Sequence, residues 1–155
     1  MPYLNTFDRQ ILRLAQQDAG MSQSQIGGKV HLSTAAVNRR VRSLQEEGVI
    51  LGRTTVLDPR KLGYPLTLIV EVSVENERID LLEAMQRDFL ACPQIQQCYY
   101  TTGDCDFVLI ILARDMEHYV ELGRQLFHAN PNIRAFKTMV AMNRVKTGCS
   151  VPVDE

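Results

Sequence analysis

The spacing of apolar residues changes character at Leu57-Asp58-Pro59-Arg60-Lys61-Leu62-Gly63-Tyr64-Pro65, and nothing else constrains the fold as tightly. Before this segment apolar positions recur every three or four residues, as in an α-helix. Just after it they recur every second residue, as in a strand. Two prolines and a glycine interrupt either period. The reading is a helical amino-terminal domain over residues 1–52, a linker strand and hinge over 53–65, and a mixed domain over 66–155.

The mixed part opens with Leu66, Leu68, Val70, Val72 and Val74 alternating with Thr67, Ile69, Glu71, Ser73 and Glu75, a half-buried strand. Leu82, Met85 and Phe89 then mark a helix that ends near Cys92-Pro93. A strand from Ile95 to Thr102, a tight connection at Thr102-Gly103-Asp104 and an apolar strand from Phe107 to Leu112 follow. A second helix carries Met116, Tyr119, Leu122 and Leu126 and is stopped by Asn130-Pro131-Asn132; a last strand runs from Ile133 to about Met142. Strand, helix, strand, strand, helix, strand is the ferredoxin-like βαββαβ order, an α+β architecture. Its helices cover one face of an antiparallel sheet, and the open face commonly pairs with another subunit.

In the helical part, Phe7, Ile11, Leu14 and Ala15 share one face of a support helix, opened by Thr6-Phe7-Asp8 and closed near Asp18-Ala19-Gly20. A second helix fits Ser22 to Val30, with Ile26 and Val30 one turn apart, and only His31-Leu32 separate it from Ser33. Ser33 is placed as the N-cap of a third helix whose Val37, Val41 and Leu44 form one apolar stripe. Opposite that stripe stand Ala35, Asn38, Arg39, Arg42 and Glu46, flanked by Thr34 and Arg40. A solvated charged face has the same makeup, but two helices joined by so short a turn match the helix-turn-helix, whose second helix enters the major groove of DNA. Asn pairs with adenine and Arg with guanine, while any Arg holds phosphate. Gly48 is placed as the C-cap, and Val49 to Arg53 as a short strand packing back on the helices, which makes the unit winged.

Charge divides the chain in the same place. Residues 1–60 carry eight Lys/Arg against five Asp/Glu, a net of +3, and residues 61–155 carry nine against thirteen, a net of −4. One copy at +3 neutralises few phosphates, so useful affinity requires several copies on one DNA segment. Cys92, Cys98, Cys105 and Cys149 include no Cys-x-x-Cys pair and no histidine at metal-ligand spacing, which points to reduced structural thiols. No nucleophile–base pair or phosphate loop appears, so the reading is a non-enzyme without metal or cofactor. With no run of 18 apolar residues and no leader pattern at Met1-Pro2-Tyr3-Leu4, the chain is expected to be soluble, intracellular and off the membrane.

Phe7-Asp8-Arg9-Gln10-Ile11-Leu12, Leu32-Ser33 through Asn38-Arg39-Arg40-Val41, Leu44-Gln45-Glu46-Glu47-Gly48-Val49-Ile50, Leu57 to Tyr64 and Thr102-Gly103-Asp104-Cys105-Asp106 stand in this order and spacing. In them the chain resembles the leucine-responsive and asparagine-type (Lrp/AsnC) regulators of bacteria and archaea, along nearly its whole length. The resemblance implies a cytoplasmic, nucleoid-associated transcription factor acting on double-stranded DNA, a homodimer that assembles to a tetramer or octamer and senses a small amino acid. Ala35, Asn38, Arg39 and Arg42 then face bases, and Ser33, Thr34 and Arg40 hold phosphates or the domain itself. Ile26-Gly27-Gly28 departs from the family's Leu-Ala and the family's Arg near Gly20 is missing, which implies a less rigid DNA domain and one phosphate contact fewer.

Gly103 can adopt positive φ and turn neighbouring amides toward a carboxylate, while Asp104 and Asp106 can accept an ammonium group. A hairpin turn with solvated carboxylates fits the same residues. The resemblance favours an effector site at Tyr100, Thr101, Thr102, Gly103, Asp104 and Asp106. Thr138, Met139 and Val140 of a neighbouring subunit would complete it and suit an aliphatic ligand of leucine or methionine type. Two other readings remain open: an oligomeric small-molecule sensor that does not touch DNA, and a ferredoxin-like enzyme.

Overall fold

Asn5 and Asp8 start the first helix by capping each other. The Asn5 side chain accepts from the Asp8 N–H at 3.1 Å and the Asp8 carboxylate from the Asn5 N–H at 3.2 Å. Helix α1 then runs Thr6–Gln17. Ser22 and Gln25 repeat the device, at 3.2 and 2.8 Å, to open α2, Gln23–Val30. Ser33 opens α3, Thr34–Glu46, by accepting from the Ala36 N–H at 3.2 Å. The structure, a computed structural model, describes residues 4–154. The leader reading drawn on Met1, Pro2 and Tyr3 therefore lies outside the described residues.

Ile11, Ile26, Val30, Val37 and Val41 form the core of this helical unit, with Leu14, Met21, Leu32 and Ile50 packed against them. Between α2 and α3, His31 takes the left-handed conformation at φ 57°, and the Leu32 N–H returns to the Gly27 carbonyl at 3.0 Å. A Cβ on Gly27 would stand 2.5 Å from the Leu32 carbonyl oxygen, so the tight turn demands glycine there. A Cβ on Gly28 would meet nothing within 4 Å. Of the two glycines that suggested a looser domain, one is therefore a packing requirement.

The fold corrects the expectations for Phe7 and for the segment that follows α3. Phe7 is 40% exposed instead of joining the core, while Asp8 and Leu12 are buried. Glu47 caps α3, with Gly48 following at φ 71°, and the Val49 and Ile50 amides both donate to the Leu44 carbonyl at 2.8 and 3.0 Å. Those amides finish a helix rather than a ladder, and no strand forms between α3 and Leu66 among the described residues: neither the short strand after Gly48 nor the linker strand. By its packing the described chain divides into two compact units, one reaching to Val56 and taking in the tail from Gly148, the other Leu57–Thr147. The tail joins the helical unit because α1 binds it: Arg9 donates to the Asp154 carbonyl at 2.9 Å, Arg13 to that of Val153 at 2.8 Å, and Gln16 exchanges two bonds with Val151. Residues 57–65 join the mixed unit through a 3₁₀ turn, Pro59–Leu62, with Pro59 buried.

The mixed unit follows the expected order: β1 Leu66–Val74, α4 Ile79–Ala91, β2 Ile95–Tyr100, β3 Phe107–Ala113, α5 Met116–Gly123 and β4 Ile133–Val140. The sheet runs β2-β3-β1-β4, with every neighbouring pair antiparallel. Leu68, Val70, Val72 and Val74 face Leu82, Met85 and Phe89 of α4 and Tyr119 and Leu122 of α5 in one core. By strand alternation Ile69, Val108, Ile110, Leu112 and Met139 line the opposite face. Register sets Ile69 between Ile110 and Met139.

After α5 the chain makes a π-helical turn, Arg124–His128. The extra residue in that turn rotates Phe127 into the core, 2% exposed, and leaves the expected Leu126 only half-buried. Met116, read as a core position, is 49% exposed at the first turn of α5. Asn132 is buried beside Met85, its carboxamide bridging the backbone N–H and carbonyl of Asn76 at 3.0 Å each, which ties the start of β4 to the end of β1.

Candidate nucleic-acid interface and effector loop

Helix α3 is pinned by one side and presented by the other. Val37, Val41 and Leu44 are buried, whereas Thr34, Ala35, Asn38, Arg39 and Arg42 are exposed. Arg39 makes no hydrogen bond or ion pair among the described residues. Arg42 reaches Glu46 at 3.6 Å, one turn on and on the surface, a weak attachment. Arg40 differs: its guanidinium donates to the Asp8 carboxylate at 2.8 Å and lies 5.5 Å from the Phe7 ring centroid. Through these contacts Arg40 holds α3 to α1. Ser33 spends its hydroxyl on the helix cap.

At the tip of the β2–β3 connection Thr102, Gly103 and Asp104 are exposed, and Gly103 takes φ 119°. The base of the loop is fixed. The Thr101 N–H donates to the Asp106 carbonyl at 2.8 Å and the Thr101 hydroxyl to that of Cys105 at 2.7 Å. The Asp106 N–H donates to the Val72 carbonyl at 2.9 Å, and one Asp106 carboxylate oxygen accepts from the Val74 N–H at 2.7 Å. Asp106 thus fastens the loop to the end of β1, leaving Asp104 as the carboxylate at the tip. Tyr100, 55% exposed, packs its ring 5.1 Å from Phe107.

Thr138, Met139 and Val140 stand on β4, which pairs with β1 on the edge away from β2 and β3. Thr138 lies opposite Val70 and Val140 opposite Leu68, running away from the loop. One protomer does not bring these residues and the loop together. Thr138 hydrogen-bonds the Tyr119 hydroxyl on the helix-covered face, and burial raises the Tyr119 phenol above its ordinary pKa. Only Met139 of the three turns to the open face.

The buried role of Asp8, the carboxylate bond of Asp106 and the tail on α1 were not read from the sequence. An acidic residue three places after Asn5 was a legible capping signal. The other two involve partners too distant in the chain for any local pattern to show.

A helix-turn-helix with an arginine-bearing second helix, carried with a split βαββαβ sheet, defines a DNA-binding regulator with a ligand-binding module. Residues 4–50 match the winged helix-turn-helix DNA-binding family and residues 67–151 the Lrp/AsnC ligand binding domain. An uncharacterized HTH-type transcriptional regulator of Sinorhizobium fredii is 38% identical over 151 residues, 97% of this chain and 89% of that protein. The crystal structure of an AsnC family transcriptional regulator from Agrobacterium tumefaciens superposes with a TM-score of 0.90 at 28% identity, covering 96% of this chain and 97% of that one. A Neisseria meningitidis transcriptional regulator in complex with L-Met gives 0.92 at 20% identity and 98% of both chains, a likeness of fold. The chain belongs to the Lrp/AsnC family of DNA-binding transcriptional regulators. Among the described residues no helix is long and apolar enough to cross a membrane.

Proposed function

We propose that this protein is a cytoplasmic, nucleoid-associated, non-enzymatic regulator that binds double-stranded DNA as a homo-oligomer, built from dimers, and changes its assembly or DNA affinity when a small aliphatic amino acid binds. The observation that carries the DNA half is the outer face of α3, where Asn38, Arg39 and Arg42 are exposed while the stripe behind them is buried. In this reading Ala35, Asn38, Arg39 and Arg42 meet base edges, and Ser33 and Thr34 lie against backbone phosphates. In this reading residues 1–52 form the DNA-binding part and residues 66–155 the sensing and oligomerising part, whose tail from Gly148 packs with the helical unit.

For the effector half, an α-amino acid offers a carboxylate to the amides around Gly103 and an ammonium group to Asp104. Tyr100, Thr101, Thr102 and Asp106 frame that tip, and Thr138, Met139 and Val140 come from a neighbouring subunit. The Neisseria regulator of the same fold is described with L-Met, which supports an aliphatic ligand.

A gel-shift titration against the protein's own upstream region tests the DNA half. Salt-sensitive, sequence-selective retardation at sub-micromolar protein is expected, and its absence overturns the reading. Thermal-shift screening against the twenty amino acids tests the effector half, since a ligand that binds only the folded protein raises its melting point. Asp104→Ala should erase the shift given by the best ligand without lowering the basal melting point. An unchanged shift removes Asp104 from the site.

A further inference from the structure

Gln23 heads α2, and its side-chain Oε1 is sealed from solvent without a hydrogen-bond donor, the one such buried side-chain atom among the described residues. An acceptor in that state is uncommon enough to ask for a cause. Gln23 lines a shallow recess of about 450 Å³ together with Asn38, Val41, Arg42 and Gln45 of α3 and Arg53 beyond it. The lining holds two guanidinium groups and three carboxamides and no carboxylate. Arg53 has no hydrogen bond or ion pair among the described residues, and Arg42 has only its exposed contact with Glu46. Asn38 and Arg42 belong to both the recess and the presented face of α3. A duplex lying along that face therefore lies over the recess.

We propose that the recess seats a phosphodiester of the DNA backbone, with Arg53 as its cation and Gln23 as the residue that positions the guanidinium. The proposal rests on the reading of α3 as DNA-facing. A guanidinium carries five N–H donors in a fixed fork, of which a phosphate takes two. Drawn across the recess toward a phosphate, Arg53 has donors left for the Gln23 oxygen, so binding satisfies an acceptor that is orphaned in the free protein. Arg42 flanks the seat and adds charge.

Fluorescence anisotropy on two labelled duplexes, the upstream fragment and a scrambled one, across a series of KCl concentrations tests this. Arg53→Ala should weaken both duplexes by the same factor and reduce the slope of log affinity against log salt by about 0.9 for each protomer engaged. Arg53→Lys, which keeps the charge, should restore the slope. Gln23→Met, similar in size but with no acceptor to satisfy, should weaken both duplexes several-fold while its melting point stays at or above that of the parent. An unchanged salt slope in Arg53→Ala, a loss confined to the upstream fragment, or parental affinity in Gln23→Met overturns the proposal. If the parent protein binds neither duplex, the DNA reading of α3 falls as well; if it binds and Arg53→Ala matches it, only the phosphate seat falls.

Discussion

Arg39 and Arg40 are adjacent in sequence and opposite in circumstance. Arg40 is committed to Asp8 and Phe7, with side-chain exposures of 29% for Arg40 and 12% for Asp8 in the ion pair. Arg40→Ala should therefore strip a buried carboxylate of its charged partner, leaving it only the Asn5 N–H, and cost about 1–3 kcal/mol, read by calorimetry as a lower melting point before any DNA is added. Arg39→Ala should leave stability within about 0.5 kcal/mol and instead relax sequence preference, at roughly 1–3 kcal/mol against the best site. A uniform loss on all DNA would reassign Arg39 to phosphate. Helical spacing separated the two only as face and flank. Asp8 lies 32 residues before Arg40, and a periodicity records neighbours on one helix, not across two.

At the scale of elements, strand alternation made the sheet legible in advance: Leu66 to Val74 sets one residue in two against α4 and α5, and β1, β2, β3 and β4 begin at the expected Leu66, Ile95, Phe107 and Ile133. What stayed hidden was whatever breaks a period without leaving a compositional trace. The π turn at Arg124–His128 contains no proline or glycine, so the helical count from Tyr119 continued to Leu126 and missed Phe127. The glycine pair shows a second limit, since Gly27 and Gly28 look alike in sequence and only the turn above Gly27 tells them apart. Gly28→Ala should stabilise the helical unit by about 0.5–1 kcal/mol through helix propensity. Gly27→Ala, pressed against the Leu32 backbone, should destabilise it by about 1–3 kcal/mol, the opposite sign in the same chemical-denaturation experiment. The tail is testable the same way. Truncation after Thr147 removes the bonds that Arg9, Arg13 and Gln16 make to it and should lower the melting point of the helical unit by about 1–3 kcal/mol equivalent. An unchanged melting point would make the docked tail energetically idle.

For the whole molecule, the deciding quantity is how many copies share a DNA segment. The first 60 residues carry a net charge of only +3, too little for one protomer to hold a duplex firmly at physiological salt. Linking protomers converts later contacts into intramolecular ones and raises avidity by on the order of 10²-fold or more. The open face of the sheet is where such a linkage is expected. Ile110, Ile69 and Met139 form one row across its open face, with Val108 and Leu112 beside them. The ion pair between Glu71 and Lys137, at 3.6 Å, lies next to this row. An apolar patch on the uncovered side of an antiparallel sheet is the expected mark of a second sheet packed against it. Ile110→Glu places a carboxylate in that row without touching the helix-covered core, so the fold should survive while the pairing does not. Light scattering after size exclusion should show the parent at no less than twice the single-chain mass of 17.6 kDa and the variant at the single-chain mass. Its affinity for the upstream fragment should fall on the order of 10²-fold, with the circular dichroism spectrum unchanged. A parent that runs as a monomer yet binds the fragment tightly would remove the need for linked copies, and a variant that still assembles would move the interface off this face.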